Sequence, residues 1–568
     1  MNTLLQATMP HLIAAPILLP LATAGLMLFF GEKRRALKAV LNLLSCLAAL
    51  CIAMALLVWT KNQSSPAALG VYLPGNWDMP FGIVLVLDRL SALMLFISAV
   101  VALASVLFAL ARWHKAGVHF HPLFQIQLMG LNGAFLTGDL FNLFVFFEVL
   151  LAASYGLLLH GSGPARVQAG LHYVAINLVA SSLFLVGAAL IYGVTGTLNL
   201  ADLAVKIPLA AVADQPLLHA GAAILGLAFL TKAAMWPLNF WLVPAYTAAS
   251  TPVSALFAML TKVGFYVVLR LSTLLFPAGA AASAGFGSDW LLYGGMATLA
   301  VGAIGMLAAQ RPARLASYAA IVSAGTLLAI VGYAQPSVTG GALFYLPSST
   351  LAVAAFFLLT ELVERSRDLD PQTQRAPEDE EDHLPFALAD LDIVDAGGVN
   401  LDEKEEALVG QIIPAATAFL GLAFVCCTLL IAGLPPLSGF IGKFAILTAL
   451  LNPGGLGNPL GNTASPTAWV LVALIIGSGL LALVALSRAG IRFFWAPQGR
   501  AAPRLRVVEC LPIVGLIVLC VAFTVRADAV MRYASATAQA LYTPTLYINA
   551  VLTARPIPSS MGQQGNAP

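Results

Sequence analysis

The sequence of 568 residues is poor in charge, in cysteine motifs and in basic clusters. Asp, Glu, Lys and Arg make up 10% of it, whereas soluble domains carry roughly 25% charged residues. This deficit excludes a soluble enzyme. The net charge is +2, and no dense group of Lys and Arg provides the positive surface that nucleic-acid binding needs. The 6 cysteines show neither CxxC nor zinc-type spacing, so they are predicted to be small apolar fillers.

Long apolar runs fill the sequence instead, and its mean hydropathy is +0.89. About 20 apolar residues cross ~30 Å of hydrocarbon as a helix. Lipid admits only helices or closed barrels, and the alternating pattern of barrel strands is absent. The predicted fold class is an all-α polytopic membrane protein with about 14 transmembrane helices. The predicted spans are residues 10–30, 37–59, 83–110, 122–136, 140–160, 170–194, 217–240, 253–276, 290–309, 315–333, 342–362, 412–451, 468–486 and 507–525.

The positions of the 28 Lys and Arg residues predict the orientation. Most of them fall in inward-facing loops if the N-terminus and the C-terminus both lie outside a bacterial inner membrane. Splitting 412–451 into two crossings would put the arginine-rich loop 488–506 outside, so this stretch is interpreted as one broken helix. The first span has no preceding positive charge and no cleavage site, which indicates a retained helix and not a signal peptide.

One hydrophilic insertion, 366–408, interrupts the apolar pattern. Acidic residues far outnumber basic ones there, and 378–382 is an unbroken acidic run. Such a composition cannot bury enough apolar surface to fold, which predicts a disordered cytoplasmic loop. The alternatives are a docking tail and a surface that attracts cations.

Four ionisable side chains lie deep inside predicted spans. Glu148 is the mid-membrane acid, and Lys232, Lys262 and Lys443 are the amines. A charge at this depth costs roughly 2.5–3.5 kcal/mol on insertion scales, so it is usually retained for a partner or an ion path. These residues are therefore the candidate proton and cation pathway. The alternative is a set of structural ion pairs with no role in transport.

Prolines interrupt two of the lysine-bearing helices, the ones that hold Lys232 and Lys443. These prolines are Pro237, Pro244, Pro435 and Pro436. Lost backbone hydrogen bonds at membrane depth require a cavity lined by water or protein. The two helices are five crossings apart, and an odd repeat unit inverts the topology, which predicts two inverted five-helix repeats. The predicted domains are a three-helix segment 1–121, a first repeat 122–276, a second repeat 287–495 that includes the acidic loop, and a C-terminal helix and tail 507–568.

Weaker signals come from one charged pair and from the histidines. Asp88 and Arg89 lie near the end of a span and are predicted to form a structural pair at the membrane interface. His160 and His172 are candidate proton relays because histidine titrates near neutral pH. No histidine or cysteine spacing indicates a metal, and nothing indicates a flavin, quinone, haem or iron-sulfur site, so no cofactor is predicted.

Four stretches that contain these residues resemble a known family. FFEVLLAASYGLLL, KAAMWPLNFWLVPAY, ASTPVSALFAMLTKVGFYVVLR and GLPPLSGFIGKFAIL are similar to the antiporter-like membrane subunits of respiratory complex I, membrane hydrogenases and Mrp-type cation/proton antiporters. The similarity runs from about residue 10 to 525. LLTKVGFYVVLR and the Lys443 motif look most like the D-type subunit of the Mrp antiporters.

The resemblance implies a role for each buried charge. It pairs Glu148 with Lys232, makes Lys262 the central relay and makes Lys443 the outlet. The chain departs from the pattern in span eleven, where many relatives have a histidine and a lysine. Ser348 and Val353 stand at these positions, so the middle of the path is expected to be water-filled or differently connected.

The function predicted is that of a membrane subunit in a multisubunit Na⁺ or K⁺/H⁺ antiporter, powered by membrane potential at ~2.3 kcal/mol per charge per 100 mV. Its predicted partners are the other hydrophobic subunits of that complex, and it is not an enzyme. The first alternative is a proton-pumping subunit of a complex I-like or hydrogenase oxidoreductase. The second is a structural membrane scaffold with vestigial charges.

Overall fold

The computed structural model describes residues 11–62, 69–368, 414–452, 464–495 and 505–556. The described residues are mainly α-helical, with one antiparallel hairpin formed by β1 (Gly70–Tyr72) and β2 (Leu85–Leu87). The all-α prediction is confirmed. The acidic insertion lies outside the described residues beyond Asp368.

The helices follow one another with short connections. The first ten are α1 (Ala15–Leu28), α2 (Arg35–Asn62), α3 (Arg89–Ala109), α4 (Phe120–Leu136), α5 (Leu140–Leu158), α6 (Pro164–Thr195), α7 (Leu200–Lys206), α8 (Gln215–Lys232), α9 (Leu242–Ala248) and α10 (Thr251–Leu275). The others are α11 (Ser288–Ala308), α12 (Pro312–Tyr333), α13 (Pro336–Asp368), α14 (Ala415–Ala432), α15 (Ser438–Leu451), α16 (Pro466–Gly490), α17 (Val507–Val525), α18 (Ala527–Leu541) and α19 (Pro544–Leu552).

Every predicted span contains a helix, and 11 helical segments of the described chain are long and apolar enough to cross a membrane. The protein is therefore a multi-pass membrane protein. The span predicted over 83–110 starts later than expected: β2 occupies its first residues and α3 begins at Arg89. The side chain of Asp88 caps that helix by accepting a hydrogen bond from the backbone N–H of Ser91 at 2.8 Å, which satisfies a free donor of the first turn.

Both predicted breaks are present as gaps between helices. In the predicted span 217–240 the helix α8 ends at Lys232, and the chain is non-helical until α9 begins. In 412–451 the break is the connection between α14 and α15. Pro237, Pro435 and Pro436 lie in these connections. Pro244 lies instead in the first turn of α9. The N–H groups of a first turn have no partner within the helix, so a proline there costs no helical hydrogen bond.

The centre of the bundle is α13, which packs against α10, α12, α14, α15, α17 and α18. Its most apolar stretch and that of α10 are completely buried. A helix that is apolar on all sides is stable only inside the protein or within lipid. By contrast, α2, α6, α16 and α17 expose most of their apolar residues and form the periphery. Side chains on α10 and α13 are thus held in the most deeply buried part of the described structure.

The C-terminal residues beyond the last predicted span form two further helices that the hydropathy pattern did not indicate. The first, α18, packs along α13, and α19 contacts α7. The hydroxyl of Tyr533 on α18 donates to the carbonyl of Arg89 at 2.8 Å. This segment therefore joins helices that are far apart in the chain.

Candidate ion pathway

Glu148 and Lys232 line one small, partly open cavity between α5, α6 and α8. The described residues include no ion pair between them. Instead, Lys232 Nζ donates to Asn177 Oδ1 at 2.6 Å, and Glu148 Oε1 is buried without a protein partner. The carboxylate therefore acts on the amine across the cavity and not through a direct contact.

Asn177 is a site residue that the sequence pattern did not reveal. Its Nδ2 donates to the carbonyl of Tyr173 at 2.7 Å, one turn earlier on α6, and this bond turns the amide oxygen toward Lys232. An amide is neutral and carries no insertion penalty comparable with a charge, so a search for buried charges cannot detect it. The available signal is an amide on the buried face of an otherwise apolar helix.

The break after Lys232 is packed tightly against α10. A Cβ at Gly264 would lie 2.5 Å from the backbone nitrogen of Ala233, so only glycine allows this approach. Trp241 Nε1 donates to the carbonyl of Thr231 at 3.2 Å, and this carbonyl also accepts from the backbone N–H of Ala234. The broken helix is tolerated because its backbone groups find partners inside the protein.

Lys262 lies on α10 at the middle of the bundle and is 2% exposed. Its Nζ donates to Ser323 Oγ at 2.6 Å, and Ser323 Oγ donates to Ser349 Oγ at 3.0 Å. The amine therefore opens a line of hydroxyl groups that crosses from α10 through α12 to α13.

Lys443 lies on α15, and its amine points back at the end of α14. Nζ donates to the carbonyls of Ala432 at 2.8 Å and Ile431 at 3.2 Å. The last carbonyls of a helix lack intrahelical partners and carry partial negative charge, so they suit a cation. A Cβ at Gly433 would come within 2.5 Å of the lysine side chain, and this glycine also supplies the left-handed turn that ends α14. The amine thus faces protein and not lipid.

The two positions that depart from the family pattern differ in what they contact. Ser348 Oγ lies 2.7 Å from Ser438 Oγ, the first residue of α15. Val353 is buried and apolar. A hydroxyl contact therefore replaces one of the expected ionisable groups.

The predicted pairing of Asp88 with Arg89 is wrong. Asp88 Oδ2 forms its ion pair with Arg270 on α10, at 2.6 Å. Neighbouring residues at the start of a helix point in different directions, so a pair in sequence is seldom a pair in space. The Arg270 guanidinium also stacks on the rings of Tyr266 and Tyr547, at 5.5 and 5.4 Å from their centres.

The histidine candidates lie apart from the lysines. The imidazole of His160 contacts the carbonyl of Trp113 at 2.9 Å, and that of His172 contacts the carbonyl of Gln168 within its own helix. Within the described ranges no group of three or more His, Cys, Asp or Glu side chains is placed to share a metal.

A second set of charged residues, which the sequence pattern also did not reveal, lies where α13 and α17 meet. Arg365 donates to Glu361 at 2.7 Å and to the buried Glu509 at 2.9 Å. Trp113 Nε1 donates to Glu361 at 2.7 Å. These bonds join the loop after α3 to both helices, and all four groups have partners. They are therefore a structural contact and not a part of the candidate pathway.

Comparison with known proteins assigns the family. Residues 137–376 match the family model described as "NADH:quinone oxidoreductase/Mrp antiporter, TM". The chain is 51% identical over 545 residues to a protein of Rhizobium meliloti that is named as the D-type subunit of a probable K⁺/H⁺ antiporter. That match covers 96% of this chain and 98% of the relative. The chain belongs to the family of D-type antiporter subunits.

Other D-type relatives extend the likeness. The chain is 31% identical over 551 residues to the D-type subunit of the Na⁺/H⁺ antiporter of Alkalihalophilus pseudofirmus, covering 96% of this chain and 100% of the relative. Its fold is similar to a chain in the solved structure of the Mrp complex from a Dietzia species. That match has a TM-score of 0.76 and 25% identity, and it covers 96% of this chain and 100% of the other. These relatives are named as transporter components and not as enzymes.

Three of the buried amines of this D-type chain share one chemical feature. Lys232, Lys262 and Lys443 each donate to a neutral oxygen, and none forms an ion pair with a carboxylate in the part of the chain described. A neutral acceptor can hold an amine both before and after it loses a proton, whereas a bonded carboxylate would favour the charged form. The arrangement permits proton exchange at each lysine.

Proposed function

We propose that this chain carries protons through the membrane part of a multisubunit monovalent cation/proton antiporter, along Glu148, Lys232, Lys262 and Lys443. The observation that carries the proposal is the set of three buried amines bonded to neutral oxygens. A structural ion pair would need a carboxylate in contact with each amine, since an unpaired buried charge is strongly destabilising. Proton carriers have the opposite requirement, because they must exist in both protonation states.

The proposed mechanism is electrostatic. A proton or cation that reaches the cavity of Glu148 weakens its attraction for Lys232 across that cavity. The Lys232 amine then releases its proton toward Lys262, and the displaced charge moves on to Lys443. Membrane potential supplies ~2.3 kcal/mol for each charge per 100 mV, and no covalent bond is made.

The names of the relatives support the wider setting of the proposal. Because they are antiporter subunits, we propose that Na⁺ or K⁺ exchanges for H⁺ only when other hydrophobic subunits stand beside this chain in the bacterial inner membrane. Both termini are proposed to lie outside, as the distribution of Lys and Arg indicates. The oxidoreductase alternative has less support, since the relatives with 51% and 31% identity are both antiporter subunits.

The domain arrangement is part of the same proposal. Two inverted repeats, 122–276 and 287–495, would each contain one broken helix pair, α8 with α9 and α14 with α15. Each pair holds a buried lysine close to its break. In secondary transporters built from inverted repeats, the ion site is likewise formed by broken helices in corresponding positions of the two repeats.

The test is Glu148→Gln in the whole complex. The amide keeps the volume of the side chain and removes its charge, so cation/proton exchange in membrane vesicles is expected to fall at least about tenfold, equal to ~1.4 kcal/mol on the barrier. Assembly should be unchanged, and Glu148→Asp should retain part of the rate. Exchange at the wild-type rate in an assembled Glu148→Gln complex would contradict the proposal.

A further inference from the structure

The hydroxyl groups on α12, α13 and α15 are arranged between two of the pathway lysines. We propose that Ser323, Ser349, Ser348 and Ser438 relay protons from Lys262 to the broken helix that holds Lys443. This inference rests on the proposed function and extends it to the segment where the resemblance leaves the path unassigned.

The first half of the relay is a continuous line of hydrogen bonds. Lys262 Nζ donates to Ser323 Oγ at 2.6 Å, and Ser323 Oγ donates to Ser349 Oγ at 3.0 Å. All three residues are buried, at 2%, 1% and 6% exposure. The side chain of Tyr345 lies close to both serines. The amine of Lys262 is therefore connected to α13 through the hydroxyl of Ser323 on α12.

The second half of the relay starts from the adjacent residue of α13. Successive residues of a helix point about 100° apart, so Ser348 faces a different neighbour from Ser349. It contacts Ser438 Oγ at 2.7 Å, and both serines are fully buried. A Cβ at Gly442 would lie 2.9 Å from the Cα of Tyr345, so this glycine lets α15 approach α13 at the height of the contact.

Pro347 changes the backbone of α13 next to the two relay serines of that helix. It lies inside α13 and has no N–H, so the carbonyl of Leu343 lacks its usual helical donor. A free carbonyl in the core of a bundle can hold a hydroxyl or a bridging water molecule. Ser349 Oγ donates to the carbonyl of Leu346 at 3.2 Å, so the step from Ser349 to Ser348 needs that hydroxyl to turn away and one bridging water molecule.

The end of the relay is the break between α14 and α15. Ser438 is the first residue of α15, and Lys443, on the same helix, is bonded to the last carbonyls of α14 across the break. In each transfer a serine oxygen receives a proton on a lone pair while it releases its own. No serine gains or loses charge overall: Lys262 loses one proton, and the neutral amine of Lys443 gains one.

The experiment compares serine variants in the whole complex, with exchange measured in vesicles as the proton movement that follows addition of Na⁺ or K⁺. Ser323→Ala and Ser349→Ala remove one hydroxyl each and leave a space smaller than a water molecule. We expect each to slow exchange at least about tenfold, a bound set below the ~10²–10⁴-fold that a positioned proton-transfer group contributes. Ser323→Thr keeps the hydroxyl, so this variant should retain most of the wild-type rate.

Two controls separate this inference from the proposed function and from packing. Ser317→Ala, on the same helix, removes a buried hydroxyl that bonds only to the carbonyl of Ala313 and should leave exchange unchanged. Lys262→Ala tests the pathway itself. If Lys262→Ala abolishes exchange while both serine variants exchange normally, the relay is wrong and the pathway stands. If Lys262→Ala exchanges normally, both are wrong. If Ser323→Thr exchanges as slowly as Ser323→Ala, the loss of exchange is due to disturbed packing and the relay is also wrong.

Discussion

At the scale of residues, the acceptors of the buried amines decide what the lysines can do. Lys443 donates to two backbone carbonyls at a helix end. These carbonyls cannot take up the proton that the amine carries. The helix end stabilises the ammonium through its partial negative charge, but it does not bind a proton itself. Any proton that leaves Lys443 must therefore go to solvent or to another carrier.

Two variants of Lys443 separate proton transfer from a structural role. Lys443→Ala should reduce exchange at least about tenfold. Lys443→Arg should assemble normally and yet exchange slowly, because a guanidinium stays protonated up to about pH 12 and cannot pass a proton on. A purely structural cation predicts the reverse order, with arginine functional and alanine poorly assembled.

Exchange and assembly of both variants are measured in the same membranes. Lys206→Arg is the matched control, since Lys206 is partly exposed and bonded to Asp202 one turn earlier. Wild-type exchange by Lys443→Arg would remove Lys443 from the proton path.

At the scale of elements, the C-terminal helices and the Asp88–Arg270 pair hold one end of the bundle together. The pair joins the start of α3 to α10, and Tyr547 of α19 stacks on the same guanidinium. Tyr542, at the end of α18, contacts the hydroxyl of Thr339 on α13 at 3.1 Å. Most of the stability of a short helix comes from tertiary packing, and these bonds fix where α18 and α19 pack.

Removing Arg270 should destabilise the protein strongly. Arg270→Ala leaves the Asp88 carboxylate nearly buried without its partner, a loss of about 3–5 kcal/mol in comparable cases. We expect the melting temperature of the purified complex to fall and its yield to drop. Arg532→Ala, which breaks an exposed pair with Asp528, is the control and should change little. Equal melting temperatures for the two variants would contradict this role of Arg270.

At the scale of the whole molecule, the proposed pathway links helices from different parts of the bundle. The cavity of Glu148 lies between α5, α6 and α8, and the lysines continue through α10 to α15. On this proposal the chain depends on neighbouring subunits for proton entry or exit. The names of its relatives, which are parts of larger antiporters, agree with this dependence.

The isolated chain should therefore not catalyse exchange. Purified alone and placed in liposomes, it is expected to show no proton movement when Na⁺ or K⁺ is added, whereas the whole complex in the same liposomes should respond. Robust exchange by the single chain would show that the complete cation route lies within it.

The sequence alone was sufficient for the apolar spans, for the breaks near Lys232 and Lys443 and for the four charges within those spans. These features are local: a run of apolar residues requires a helix in lipid, a proline removes a hydrogen bond, and a charge in such a run is costly wherever it points. Family membership followed from the motifs around the same residues.

Only the tertiary structure decided what each buried group contacts. Asn177 is 55 positions from Lys232, Ser323 is 61 from Lys262, and Ser438 is 90 from Ser348. Apolar periodicity determines which residues are buried, but it does not determine which buried faces of two helices meet, since that depends on the packing of the whole bundle. Neutral hydroxyls and amides also cost too little in lipid to stand out in a sequence. The acceptors of the amines could therefore be identified only from the packed helices and not from the sequence.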